Sequence, residues 1–235
     1  MDTFAKLVVA PLVRSGAQAV FQPHESLAEG IAKILRDRLA GGVYPPGSWI
    51  RESGLAEEFN FSKGPVREAL QTLVNEGLLV REPRRGVRVV DLSGAQIVEI
   101  FQLRLALLEL AAELASKYAR PRQLTVARRL LDKMGVALQR GDIDAQMPIG
   151  GQLSQWVCNC SGNKRLEHDW SRLTYQTRMY IYASLRNSKD LPRVLQLWQN
   201  LIDAIEQRNA VQARAAVRGL ARRALDDLGL QGGFE

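Results

Sequence analysis

The stretch from Trp49 to Asp91, WIRESGLAEEFNFSKGPVREALQTLVNEGLLVREPRRGVRVVD, constrains this chain more than any other. Two short helical patterns are separated by a tight turn, and a hairpin of apolar and basic residues follows at once. That order predicts a winged helix-turn-helix, a module that lays one helix in the major groove of DNA. The second helix opens at Ser62, whose hydroxyl is placed to cap the first free amides. Pro65 falls in the first turn, where its missing N–H costs nothing. Val66, Leu70, Leu73 and Val74 recur at helical spacing and make one buried stripe. Lys63, Arg67 and Gln71 form the opposite face, presenting cations and an amide suited to phosphates and base edges. The plainer alternative is a small α+β core with a solvated basic face. It leaves the agreement between motif order and cation position unexplained.

The flanking residues fit that reading. Leu55, Ala56 and Phe59 give a short supporting helix its apolar side, and Asn60-Phe61 occupies the turn. Ser26 and Glu29 form a capping box ahead of Leu27, Ile31, Ile34 and Leu35, with Gly41-Gly42 as the stop. Residues 78–81 and 87–90 read as two strands joined by Pro83-Arg84-Arg85-Gly86. Gly86 supplies the positive φ such a turn needs and lets backbone approach a phosphate; Arg84 and Arg85 stand at its tip.

From Tyr44 to Val89 the pattern Y-P-P-G, L-A, S-K-G-P-V-R-E-A-L-Q-T-L-V-N-E-G-L-L and R-R-G-V-R-V resembles the DNA-binding domain of GntR-type bacterial transcription regulators. The resemblance covers residues 26–92. It implies that Arg67 is the reading-helix arginine, that Ser62 and Lys63 hold its N-terminal contact positions, and that Gly86 is the wing-tip glycine. Where the family usually has Ser-Arg-Thr, this chain has Ser62-Lys63-Gly64. Lysine is a point charge on a flexible stem and lacks arginine's bidentate fork. Gly64 also forfeits a hydroxyl, so the operator is expected to differ from that of better-known relatives.

The net charge of +7 and a pI near 9.7 favour a polyanionic partner. The chain's 235 residues allow two domains of ordinary size. The two cysteines, Cys158 and Cys160, point to opposite sides of a helix and are expected as reduced core thiols in a cytoplasmic protein. Residues 1–25 faintly imitate a signal peptide, but their apolar run is short and broken by Pro11; they are expected as an N-terminal arm or a short appended helix. No segment elsewhere is apolar over enough residues to span a membrane.

After a short hinge at residues 91–93, helical patterns occupy 95–118 and about 122–140, 145–160, 163–187, 191–208 and 210–229. The expected fold is therefore mostly α: an N-terminal winged helix-turn-helix (α+β), then an all-α antiparallel bundle over residues 93–235. Through F-Q-L-R at 101–104, the Ser161-Gly162-Asn163 break and I-D-A-I-E-Q-R-N-A-V-Q-A-R at 202–214, the bundle resembles the FCD effector domain of the FadR-type branch.

Many FCD domains bind a divalent metal through an Asp and three His, and that metal helps hold a carboxylate effector. The resemblance places those four donors at Gly150, Ser154, Trp198 and Leu220, none of which ligates as the family does. With only His24 and His168 in the whole chain, three bundle histidines do not exist, and no metal or other cofactor is expected. His168, between Glu167 and Asp169, reads as a solvated surface residue.

Arg104 stands on an apolar stripe with Phe101, Leu107, Leu108 and Ala111, and a buried cation there needs an anion or hydrogen-bond partners. That partner is either an internal carboxylate or the carboxylate of an effector. The resemblance places Arg104 facing the FCD cavity, with Ser154, Asn163, Arg178 and Trp198 as further lining candidates. The family's Glu one turn after the arginine is replaced here by Leu108. Trp156, Trp170, Tyr175, Tyr180 and Tyr182 read as core or dimer interface. Two function classes follow. One is a ligand-responsive homodimeric regulator, expected to repress from a short inverted repeat of double-stranded DNA through a metal-free small organic acid. The other is a ligand-independent DNA-binding regulator whose bundle only dimerises. No nucleophile–base pair, metal cluster or phosphate-binding glycine loop points to an enzyme.

Overall fold

The computed structural model describes residues 26–232 and divides at Ser93/Gly94 into two compact units. The expectation for the N-terminal arm falls outside the described residues.

In the first unit, helices α1 (Leu27–Ala40), α2 (Glu52–Phe59) and α3 (Lys63–Asn75) pack on a small antiparallel sheet of β1 (Trp49–Ile50), β2 (Leu79–Glu82) and β3 (Gly86–Val89), in the order β1-β3-β2. Val87 and Val89 point into the core while Arg88 points out, the period-two alternation of a strand with one buried face. Ile31, Leu35, Val66, Leu70 and Leu73 are almost wholly buried and join the two longer helices. The strands sit one residue from their expected positions, with Glu82 paired to Gly86 across the turn. Two-residue β1 was not predicted, since it is too short to show a period and exists by pairing with β3. Only half of the capping box forms. Ser26 accepts from the Glu29 N–H at 3.2 Å, but the Glu29 carboxylate turns to Arg36 at 3.1 Å. Arg36 also grips Glu76 at 2.6 Å, tying α1 to the end of α3.

In the second unit the six expected helices are present: α4 (Gly94–Tyr118), α5 (Pro121–Gln139), α6 (Ile143–Ser161), α7 (Lys164–Asn187), α8 (Leu191–Glu206) and α9 (Ala210–Asp227). Short polar side chains explain where they begin. Asp142, Asn163, Asp190 and Asn209 each accept the backbone N–H three residues on, at 2.9–3.1 Å. Small residues set close packing: Ala111, Ala112 and Ala115 of α4 and Ala213 and Ala216 of α9 are buried. A Cβ at Gly219 would lie 2.6 Å from Leu197 Cδ2, so α8 and α9 approach closely there. Inside α6, Pro148 removes one ladder N–H beside Gly150 and Gly151. Ser154 Oγ donates to the Gly150 carbonyl at 2.8 Å.

Candidate functional site

The α3 helix buries Val66, Ala69, Leu70 and Leu73 and turns Ser62, Lys63, Gly64, Arg67 and Gln71 to the exterior. These five candidates share one continuous exposed surface. Ser62 does precede the helix with extended backbone, but its side chain makes no capping hydrogen bond, contrary to expectation. The space beside Gly64 is open to 4 Å. Arg67 is pre-oriented: its Nη2 donates to Glu52 Oε1 at 2.7 Å and its Nε to Glu52 Oε2 at 3.2 Å. These hydrogen bonds hold the exposed guanidinium's proton more tightly than usual. Glu52, in the first turn of α2, and its exposed neighbour Arg51 were missed by sequence reasoning. The fifteen residues separating Glu52 from Arg67 cross a turn, and periodicity carries no signal over such a gap. Gln71 Nε2 donates to Asn75 Oδ1 at 3.0 Å.

Arg84, Arg85 and Gly86 are exposed at the hairpin tip. The left-handed conformation is shared between Arg84, at φ 64°, and Gly86, at φ 107°, rather than resting on the glycine alone. Arg85 lies 3.9 Å from Glu82, the outer limit of an ion pair, so its charge remains available.

The second unit holds a partly open cavity of about 420 Å³. Arg104, Ser154, Arg178 and Trp198 line it, as do Gly150 and Leu220. Asn163 does not. Its side chain is committed to the Leu166 N–H as the α7 cap, so its place as an effector contact is corrected. Trp156 is core, its Nε1 donating to the Gln123 carbonyl at 2.9 Å. Trp170 and Tyr175, by contrast, belong to the cavity wall.

Arg104 is one of three arginines that line the cavity, with Arg178 and Arg223. Its Nη1 donates to Thr174 Oγ1 at 3.3 Å, and its guanidinium stacks 4.2 Å from the centre of the Trp170 ring. Among the described residues no carboxylate pairs with it, and no Asp or Glu lines the cavity. Burial pushes its pKa down to about 10, which still leaves a cation at neutral pH. Cys158 lies close enough to feel that charge, yet burial pushes its thiol up to about 12. It and Cys160 are buried free thiols. Sequence reasoning missed Gln146, which is 2% exposed, lines the cavity and has an unpartnered Nε2. It also missed Thr174 and Arg223.

The four positions that the FCD resemblance assigns to metal donors all line this cavity, and they do not fit a metal. Gly150, Trp198 and Leu220 offer no ligating side chain, and the Ser154 hydroxyl is bonded to α6 backbone. Among the described residues no group of three or more His, Cys, Asp or Glu side chains converges on one point. His168 is exposed on α7. No described helix is long and apolar enough to cross a membrane.

Residues 27–89 match the family described as "Bacterial regulatory proteins, gntR family", and residues 99–223 match the FCD domain. The chain is 29% identical over 135 residues to the uncharacterized HTH-type transcriptional regulator YdhC of Bacillus subtilis (strain 168), covering 57% of this chain and 60% of that protein. It is 26% identical over 184 residues to the gluconate operon transcriptional repressor of the same organism, covering 76% and 75% of the two chains. Among solved structures, that of E. coli McbR/YncC has the same fold, with a TM-score of 0.75 at 23% identity over 87% of this chain and 96% of the other.

Proposed function

Since this chain belongs to the GntR family of bacterial regulatory proteins and carries its FCD domain, we propose a ligand-responsive homodimeric repressor. The family establishes a DNA-binding transcription regulator rather than an enzyme. In the proposed reading, residues 26–92 bind a short inverted-repeat operator in the cytoplasm, and residues 93–235 dimerise and hold the effector. Ser62, Lys63, Gly64, Arg67 and Gln71 face the major groove, while Arg84, Arg85 and Gly86 follow the backbone or minor groove. An exposed apolar stripe on α4 supports self-association. Leu103 and Leu110, seven residues apart on one helical face, are 59% and 43% exposed.

The observation that carries the ligand-responsive reading is Arg104, a largely desolvated cation that meets no carboxylate among the described residues, in a cavity that no described Asp or Glu lines. A small organic acid supplies the missing anion directly, held by Arg104 and neutral donors without a metal. A bundle packed solid around Trp198 and Leu220 would favour the ligand-independent reading; both side chains instead border open volume. The test is footprinting of upstream DNA with and without a panel of carboxylic acids. Protection of an inverted repeat that one acid weakens is expected. Protection indifferent to every acid, with no acid shifting thermal unfolding, favours the ligand-independent regulator.

A further inference from the structure

We propose that the cavity is built for an elongated amphipathic acid, with its carboxylate at Arg104 and an uncharged hydrogen-bond acceptor at the opposite end, near Gln146 and Arg223. This rests on the ligand-responsive reading and adds the shape and second end of the ligand.

The cavity has two polar poles. At the first, Arg104 meets Thr174 and Trp170 of α7 and lies near Cys158 of α6. At the second, Arg223 of α9 reaches Ser188 at 3.1 Å and Ser184 at 3.3 Å, near the other end of α7. Thr174 and Ser184 are ten residues apart on α7, about 15 Å along its axis at ~1.5 Å per residue. The α6 helix repeats the measurement. Asp144 bonds Tyr182 and lies 3.8 Å from Arg186, which puts the start of α6 beside the second pole. Gln146 stands there, twelve residues and about 18 Å before Cys158.

The poles differ in charge. Among the described residues no carboxylate meets Arg104, whereas Arg223 is paired with Asp227 and so presents little net charge. At the second pole two donors still go unanswered. Among the described residues neither buried Gln146 Nε2 nor buried Arg223 Nε has a hydrogen-bond partner, and both residues line the same cavity. Two orphan donors at one end are costly unless a ligand oxygen meets them. Between the poles the wall is mostly apolar, with Leu105, Leu108, Ile181, Leu185, Trp198 and Val217, interrupted by Ser154, Thr177 and Arg178. Allowing about 3 Å for a hydrogen bond at each end leaves roughly 9–12 Å between carboxylate and acceptor. That span is about seven to nine carbon–carbon bonds of an extended chain, longer than any four-carbon acid.

The test uses the full chain and five probes: butanoate, butanedioate, decanoate, ω-hydroxydecanoate and decanol, read by isothermal titration and thermal shift. Decanoate is expected to bind more than about a hundredfold tighter than butanoate, because its extra methylenes enter the apolar span. The ω-hydroxyl is expected to add about tenfold, and decanol to bind more weakly than either long acid. In Gln146→Leu, which exchanges an orphan amide for an apolar side chain of similar size, the tenfold hydroxyl advantage should vanish while decanoate binding persists. That persistence doubles as the check that the variant is folded. Equal affinity for decanoate and its ω-hydroxy derivative in the unaltered protein overturns the second pole. Butanoate or butanedioate binding as tightly as decanoate overturns the elongated ligand but leaves an acid effector standing. Absence of binding by every acid, from protein that still footprints its operator, removes the effector reading as well.

Discussion

Replacing Arg104 by methionine separates a cation kept for a ligand from one kept for the fold. In the unliganded protein this guanidinium is costly. Burial pushes its pKa down to about 10, and each tenfold loss of proton affinity is worth about 1.4 kcal/mol, so the buried charge costs about 3 kcal/mol. Against this stand the stacking on Trp170, about 2 kcal/mol for a desolvated cation–π pair, and one hydrogen bond to Thr174, about 1 kcal/mol. The terms nearly cancel. Methionine fills similar volume, needs no counterion and can place its sulfur against the Trp170 ring, a contact of roughly 0.3–1.5 kcal/mol. Arg104→Met is therefore expected to leave the helical unit as stable as before or up to about 2 kcal/mol more stable. That corresponds to a Tm unchanged or raised by up to about 6 °C. Tryptophan fluorescence is a suitable probe, because Trp156, Trp170 and Trp198 all lie in this unit. The same variant should lose all response to carboxylic acids. A Tm lowered by more than about 6 °C refutes the reasoning, since removing one partner of a satisfied buried ion pair costs about 3–5 kcal/mol. Such a fall would make Arg104 a structural residue.

Other substitutions test the remaining assignments. Arg67→Ala should weaken operator binding roughly 5- to 150-fold while leaving thermal unfolding and sedimentation unchanged, and undiminished affinity in a footprinting titration would remove α3 as the reading helix. Neutralising Arg84 and Arg85 together should flatten the salt dependence of binding, by about one unit of slope for each phosphate that the tip ceases to neutralise; an unchanged slope places the hairpin tip away from DNA. Asn163→Ala should cost about 1 kcal/mol of stability through loss of the α7 cap, with acid affinity intact, and a selective loss of acid binding would restore Asn163 to the effector site. Protein purified without chelator should carry no stoichiometric zinc, nickel or manganese and respond identically to acids with and without EDTA; metal analysis and an EDTA-sensitive response are the contrary results.

What the sequence by itself determined is what lies within a few helical turns. The stripe of Val66, Leu70 and Leu73, the exposed face of Ser62, Lys63, Arg67 and Gln71, and all six bundle helices are local patterns, because side-chain period and capping chemistry act over three or four residues. Arg104 was legible as an anomaly for the same reason: a cation on an apolar stripe violates its own neighbourhood. Its lack of a carboxylate was not legible, since its surroundings come from Trp170 and Thr174, nearly seventy residues away on another helix. Distance along the chain also hid the Glu52–Arg67 grip. Asn163 went the other way. Resemblance drew it toward the cavity, while the local need of α7 for a cap claimed its side chain. The tertiary structure alone decided that about 420 Å³ stays open beside Trp198, and that Gln146 and Arg223, both on its wall, keep donors unpaired among the described residues. A cavity is the volume that packed helices fail to fill, and an orphan donor is one that no neighbouring helix answers. Both depend on which surfaces meet, and the period of a single helix carries no record of its neighbours.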